Sequence, residues 1–148
     1  MRIGLCLILA AWPMAALADS ASSFEGRWRQ SLPSNDDLTI GVLDIARCGE
    51  GLCGRLVTDQ GCGATILRSS LEPYFKTKEG LPSISGPITG MIETNGTLLP
   101  ALLYPDKDKL RISAAEGGRF FATRTMPLPF EATLIAAGPA QCQDAPAS

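Results

Sequence analysis

ITGMIETNGTLLPALLY, residues 88–104, sets how the rest of the chain is read. Two runs of branched and apolar residues flank Asn95–Gly96. Asn-Gly between such runs is the strongest short hairpin signal, because both central positions of a two-residue turn need positive φ. Residues 88–94 and 97–104 are therefore expected to pair as antiparallel strands. Pro100 falls inside the second strand. It cannot donate to a ladder, so the strand is expected to bend there or to lie at an opening.

The same rhythm continues in both directions. Downstream, PDKD (105–108) turns the chain into KLRISAA (109–115), EGG (116–118) turns it into RFFATRT (119–125), and PLP (127–129) precedes FEATLIAA (130–137). Upstream lie FEGRWRQ (24–30), LTIGVLDIA (38–46) and LCGRLVT (52–58), the last two joined through GEG (49–51). A long middle stretch, about 60 to 86, holds SSLEPYF (69–75), which fits one helical turn capped by Ser69 or Ser70. No stretch sustains a 3.6-residue period, so helix content should be low. Short strands joined in sequence by tight turns define the expected fold class: all-β, a small up-and-down antiparallel barrel of about eight strands with one long middle loop. Eight strands close around an interior that holds side chains or one small ligand.

Residues 1–18 read as a signal peptide, with Arg2, the apolar run IGLCLILAAWPM (3–14) and the small-x-small site Ala16–Ala18. Cleavage near Ala18 is expected, giving an exported protein, periplasmic or secreted. No later run is long and apolar enough to span a bilayer. Residues 19–23 are expected to be a flexible mature N-terminus, 24–138 the barrel domain, and 139–148 a tail without structure apart from Cys142. The chain has 13 basic and 15 acidic residues, and loss of Arg2 leaves a balance of −3. No basic run or basic amphipathic helix is present, so neither nucleic acid nor a membrane surface is an expected partner.

Histidine is absent. That excludes Ser-His-Asp and Cys-His catalysis and His-ligated zinc. Acidic residues are scattered without an obvious pair. Asp106 and Asp108 have the spacing that begins a calcium loop but lack its downstream Gly and Glu, and read as a solvated turn. Asn95-Gly96-Thr97 is a glycosylation sequon whose Asn-Gly is explained by the hairpin. No catalytic residue, cofactor or metal ligand is expected, and the chain does not read as an enzyme.

Four cysteines follow the signal segment: Cys48, Cys53, Cys62 and Cys142. An even count in an oxidising compartment favours disulfides. Redox pairs usually have two residues between the cysteines at a helix start, whereas Cys48 and Cys53 have four between them around a turn. A structural bridge across the hairpin is the favoured reading. A redox pair and a four-cysteine metal site are the alternatives. Four cysteines allow three pairings, and sequence alone leaves them open. A Cys48–Cys53 bridge would leave Cys62 to pair with Cys142.

TLLPALLY (97–104) is unusually apolar for a half-exposed strand. Core packing explains it most simply. The alternative is a ligand pocket lined by Leu98, Leu99, Leu102 and Tyr104, with Arg111 turned inward to meet a carboxylate. The expected partner is then a small apolar or carboxylate-bearing molecule. A protein partner, as for a periplasmic protease inhibitor, is the competing class.

Gly26-Arg27-Trp28 opens the first strand. A G-x-W there resembles the lipocalin signature, which implies that Trp28 packs at a closed barrel end under an arginine from the last strands. Arg124 is the candidate and Arg119 the second. A wider resemblance covers residues 24–113. Gly26, Trp28, Cys48, Gly49, Leu52, Cys53, Gly54, Arg55, Ile88, Gly90, Met91, Tyr104, Pro105 and Asp106 stand as in a family of small exported bacterial proteins, domain of unknown function 2147 (DUF2147). Its most specific part is CGEGLCGRL (48–56). That resemblance implies a lipocalin-like fold and no established activity. The family closes with a Thr- and Trp-rich strand, whereas TRTMPLPFEATLIAAG (123–138) has no Trp.

Overall fold

A computed structural model describes residues 23–32, 35–74, 86–120 and 129–143. The expected signal segment, Arg124 and part of the middle loop lie outside these residues. Eight strands form a closed barrel in sequence order, each antiparallel to the next: β1 (Gly26–Gln30), β2 (Val42–Cys48), β3 (Gly51–Thr58), β4 (Gly61–Pro73), β5 (Ile88–Thr94), β6 (Thr97–Asp106), β7 (Lys109–Ala114) and β8 (Phe130–Ala136). β8 pairs back to β1 through Trp28–Ala136, Arg29–Ile135 and Gln30–Leu134.

The Asn-Gly hairpin forms as the sequence predicts. Thr94 pairs with Thr97, and Asn95 and Gly96 have φ of 49° and 75°. Pro100 sits in an unbroken register with β5, opposite Met91. Its carbonyl points the other way, accepting from the Ala115 amide at 3.0 Å, just past the last β6–β7 pair, Ala101–Ala114. The proline therefore stands where β7 leaves the ladder, and its missing N–H breaks no strand pairing.

The expected count of eight holds with one exchange of members. Gly61–Pro73 is a 13-residue strand, not a loop with a helical turn at 69–75. Leu71, at φ 60°, bends it near its end. Conversely, β7 pairs directly with β8, so no strand from 119–125 stands between them. Arg119 and Phe120 follow a 3₁₀ turn, Glu116–Gly118, and the remainder of that segment lies outside the described residues.

Alternation along the strands sends Leu43, Ile45, Leu52, Leu67, Ile92, Leu103, Leu110, Ile112 and Leu134 inward, each with no accessible surface. None of these lines a space that a water molecule can enter. Gly54 also faces this core, and a Cβ there would lie 2.9 Å from the Leu67 Cβ. The interior at this level is filled by side chains, as small barrels are.

The β1–β2 connection completes the wall where β1 is too short to cover β8. Leu38 donates to the Glu131 carbonyl, and Asp36 and Asp37 accept from the Thr133 and Glu131 amides. Buried Gln30 holds this loop. Its amide nitrogen donates to Asp36 Oδ2 at 2.9 Å and the Leu38 carbonyl at 2.8 Å, while its oxygen accepts from the Ile40 and Gly41 amides.

Candidate functional site

The structure does not bring the five sequence-derived pocket residues together. β6 keeps strict alternation through its paired length, so Leu99 joins the core while Leu98, Leu102 and Tyr104 belong to the outer face. Leu98 is 60% exposed, whereas Leu102 is fully buried on that outer face. Arg111 does not turn into the barrel. Leu110 and Ile112 on either side of it point inward, and Arg111 lies opposite Tyr104 with its guanidinium 4.7 Å from the ring centroid. Burial pushes the Tyr104 hydroxyl pKa up, against the opposing pull of the Arg111 charge.

Trp28 lies in the core beside Phe24 and Leu38, 4% exposed, and its indole N–H donates to the Phe24 carbonyl at 2.8 Å. Among the described residues no arginine stacks on it. Asp106 ends β6, and Lys107 and Asp108 form the solvated two-residue turn before β7.

A groove of about 570 Å³ opens on the outer wall. Its floor is two rows of register partners across β4, β5 and β6: Arg68, Met91 and Pro100 in one, Ser69, Gly90 and Ala101 in the other. Gly90 lets β4 approach closely on the inward side of the sheet, since a Cβ there would meet the Arg68 carbonyl at 2.6 Å. Phe120 forms a wall and packs edge-on against Tyr74 at 5.9 Å. Ser70 and Thr89 add hydroxyl groups. Most of the exposed lining is apolar, and Arg68 brings a charge. Of these residues the sequence singles out Gly90 and Met91 as matches to a family pattern, Pro100 as a strand irregularity, and Ser69 and Ser70 only as caps of a helical turn that the strand β4 replaces. Arg68 and Phe120 carried no signal, because nothing in sequence says that β4 neighbours β5 at that register.

Both disulfides form, Cys48–Cys53 across the β2–β3 hairpin and Cys62–Cys142 over a separation of 80 residues. The Arg68 guanidinium donates to Cys53 Sγ at 3.2 Å. The second bridge secures part of the stretch 139–148, which the sequence predicts to be a tail without structure apart from Cys142. After β8, Ala137 donates to the Arg27 carbonyl, Arg27 donates to the Gly138 carbonyl, and the chain crosses the outside of β1, β2 and β3.

Asp44 receives that strap. It is fully buried on the outer face, between its register partners Arg27 and Arg55. Arg27 clamps it with two bonds, Nε to Oδ1 at 2.7 Å and Nη2 to Oδ2 at 2.9 Å. Oδ2 also accepts from the Gln141 amide at 2.8 Å and the Cys142 amide at 2.7 Å. Arg55 donates to the Gly63 and Gln143 carbonyls. Burial by itself would raise the Asp44 pKa. The bonds from Arg27 and the two strap amides outweigh it and hold the carboxyl below its ordinary value. An aspartate inside the apolar run LTIGVLDIA was the available sequence signal for this clamp.

Comparison of the chain with protein-family models, curated proteins and solved structures finds no match.

Proposed function

We propose that this chain is an exported, non-enzymatic binding protein of the cell envelope, lipocalin-like in fold, taking a small apolar molecule that bears a carboxylate. The reading places that molecule in the outer-wall groove and not in the barrel interior. The carrying observation is a groove of about 570 Å³ that combines an apolar floor at Met91 and Pro100 with Arg68 and the hydroxyl side chains of Ser70 and Thr89. That volume lies in the range of small-molecule sites, and a few polar groups in an apolar lining are what orient such ligands. Arginine is the side chain best suited to a planar carboxylate. The filled core argues against an internal cargo. Two disulfides suit an oxidising compartment, and the resemblance to the DUF2147 family points to the same setting.

The test is titration of the purified protein with decanoate and, separately, decanol, followed by calorimetry. Saturable binding of decanoate, tighter than decanol, with the difference abolished by Arg68→Ala, is the expected result. Equal affinities for both probes would remove the role of the charge, and absence of saturation by either would sink the reading.

A protein-binding module, such as a periplasmic protease inhibitor, is the second reading. It is favoured by Met91 on the groove floor and Leu98 outside the groove, both exposed on adjacent strands. Inhibition of secreted proteases that disappears in Met91→Asp and Leu98→Asp would support it, and inhibition that persists in both would count against this surface.

A further inference from the structure

We propose that the Cys48–Cys53 bridge is a site of exchange with low-molecular-weight thiols, opened at Cys48, with Arg68 receiving the displaced Cys53 thiolate. The two sulfurs of this hairpin bridge have unlike surroundings. Cys53 is 3% exposed and its Sγ accepts from Arg68 Nη1 at 3.2 Å. Cys48 is only partly buried, at the end of β2 beside the open Gly49–Glu50 turn. Arg68 faces Cys53 directly, as its register partner on β4.

Exchange requires an incoming thiolate in line with the disulfide, and the sulfur it attacks must be reachable. Here the reachable partner is Cys48. The incoming thiol gives its proton to water. Its sulfur forms a bond to Cys48 Sγ, the Cys48–Cys53 bond breaks, and the bonding pair leaves on Cys53 Sγ. The products are a mixed disulfide at Cys48 and a thiolate at Cys53. No further oxidant or reductant enters. A guanidinium within hydrogen-bond distance stabilises that thiolate and so makes Cys53 the better leaving group. The return step, attack of Cys53 on the mixed disulfide, releases the small thiol and restores the bridge. The hairpin register, Ala46 opposite Cys53 and Cys48 opposite Gly51, keeps the two cysteines diagonal neighbours, with Cα atoms 5.7 Å apart.

The surroundings of the other bridge differ in kind. Cys142 lies on a strap whose amides are bound by a carboxylate, Asp44. No arginine-to-sulfur bond is found there among the described residues.

The inference shares Arg68 with the ligand reading but concerns covalent exchange and not occupancy of the groove, and its test uses no carboxylate probe, so either can fail without the other. The experiment exposes the native protein to excess reduced glutathione, quenches with acid, caps free thiols with a maleimide and maps the peptides by mass. Glutathione is expected on Cys48 and the maleimide on Cys53. Arg68→Ala should slow formation of this adduct about three- to tenfold, from a leaving-group pKa change of about one to two units and a slope of about one half. Arg68→Lys should recover part of the rate. Glutathione on Cys53, an Arg68→Ala rate equal to that of the unaltered protein, or a hairpin bridge that glutathione leaves closed would each overturn the proposal. The position of the adduct is read on unaltered protein, so the test survives a variant that fails to fold.

Discussion

Replacement of Asp44 by Asn tests the strap most directly. The carboxylate accepts four bonds, two from Arg27 and two from strap amides. Oδ2 accepts three of the four bonds, so asparagine does best with its oxygen there and its N–H₂ at Oδ1, where one contact, with Arg27 Nε, becomes donor against donor and the other three lose the acceptor's charge. Charge-assisted bonds are worth about 1.5–3 kcal/mol each as mutational differences. The lost bond costs about 1.5–3 kcal/mol and the weakening of the other three adds about 1 kcal/mol each, but Cys62–Cys142 keeps the strap tethered and the 21% exposed Arg27 side chain can reach water. The expected loss is therefore about 3 kcal/mol at neutral pH. For a domain of this size that is a fall in Tm of roughly 10 °C. The pH dependence has a definite sign. A carboxyl whose folded pKa is depressed contributes stability that is complete above the unfolded value of about 3.9 and disappears as pH falls through the folded value. Thermal melts of both proteins at pH 7 and at about pH 2.5 should show a wide gap that closes in acid. The other carboxylates titrate in both proteins and cancel in the difference. A gap that is the same at both pH values, or a loss below about 1 kcal/mol at pH 7, would refute the account of Asp44 as an ionised anchor.

The two bridges should differ in weight. In the chain-entropy model, the Cys62→Ser/Cys142→Ser pair costs about 4.5 kcal/mol and the Cys48→Ser/Cys53→Ser pair about 2, measurable by denaturant unfolding of each double variant. Gly54→Ala puts a Cβ 2.9 Å from the Leu67 Cβ and 3.2 Å from the Leu43 Cδ1, and overpacking of this kind costs about 1–3 kcal/mol in the same assay. Gln30→Leu keeps the volume but removes the four side-chain bonds that tie Asp36, Leu38, Ile40 and Gly41 to β1. Hydrogen exchange at the Ile40 and Gly41 amides should speed up by at least tenfold, while the amides of the β5–β6 hairpin, far along the chain, keep their protection.

The barrel was legible where turns announce themselves. Asn95-Gly96 placed β5 and β6 to within two residues, because positive φ at two adjacent positions leaves few other sequences. β4 was not legible. GCGATILRSSLEP has weak alternation, and β-bulges against β3 shift its register at Arg55 and Val57, so its inward face does not recur every second residue. RFFATRT had the composition of a strand, but the two closing pairs of the sheet were already supplied by β7 and β8. The site was less legible still. Alternation at Arg111 was readable, yet which parity faced the core depended on register. Arg68, Met91 and Pro100 are far apart in sequence and meet only because three strands align. The four cysteines were read correctly as disulfides, and their pairing is fixed by the fold, which sets both Cα separations near 5.6 Å: 5.7 Å across the hairpin and 5.5 Å at the strap.

The strap also redirects mechanical load. β1 and β8 close the barrel through only three register pairs, which makes that seam the weakest run of the wall. Tension applied to the chain beyond Cys142 does not reach β8, because the covalent bond carries it sideways into Cys62 at the start of β4. The five strands from β4 to β8 lie inside one covalent ring and cannot be peeled off in turn from that end. A partner or surface pulling there would shear the Cys62 corner of the wall and leave the seam unloaded until the disulfide is cut.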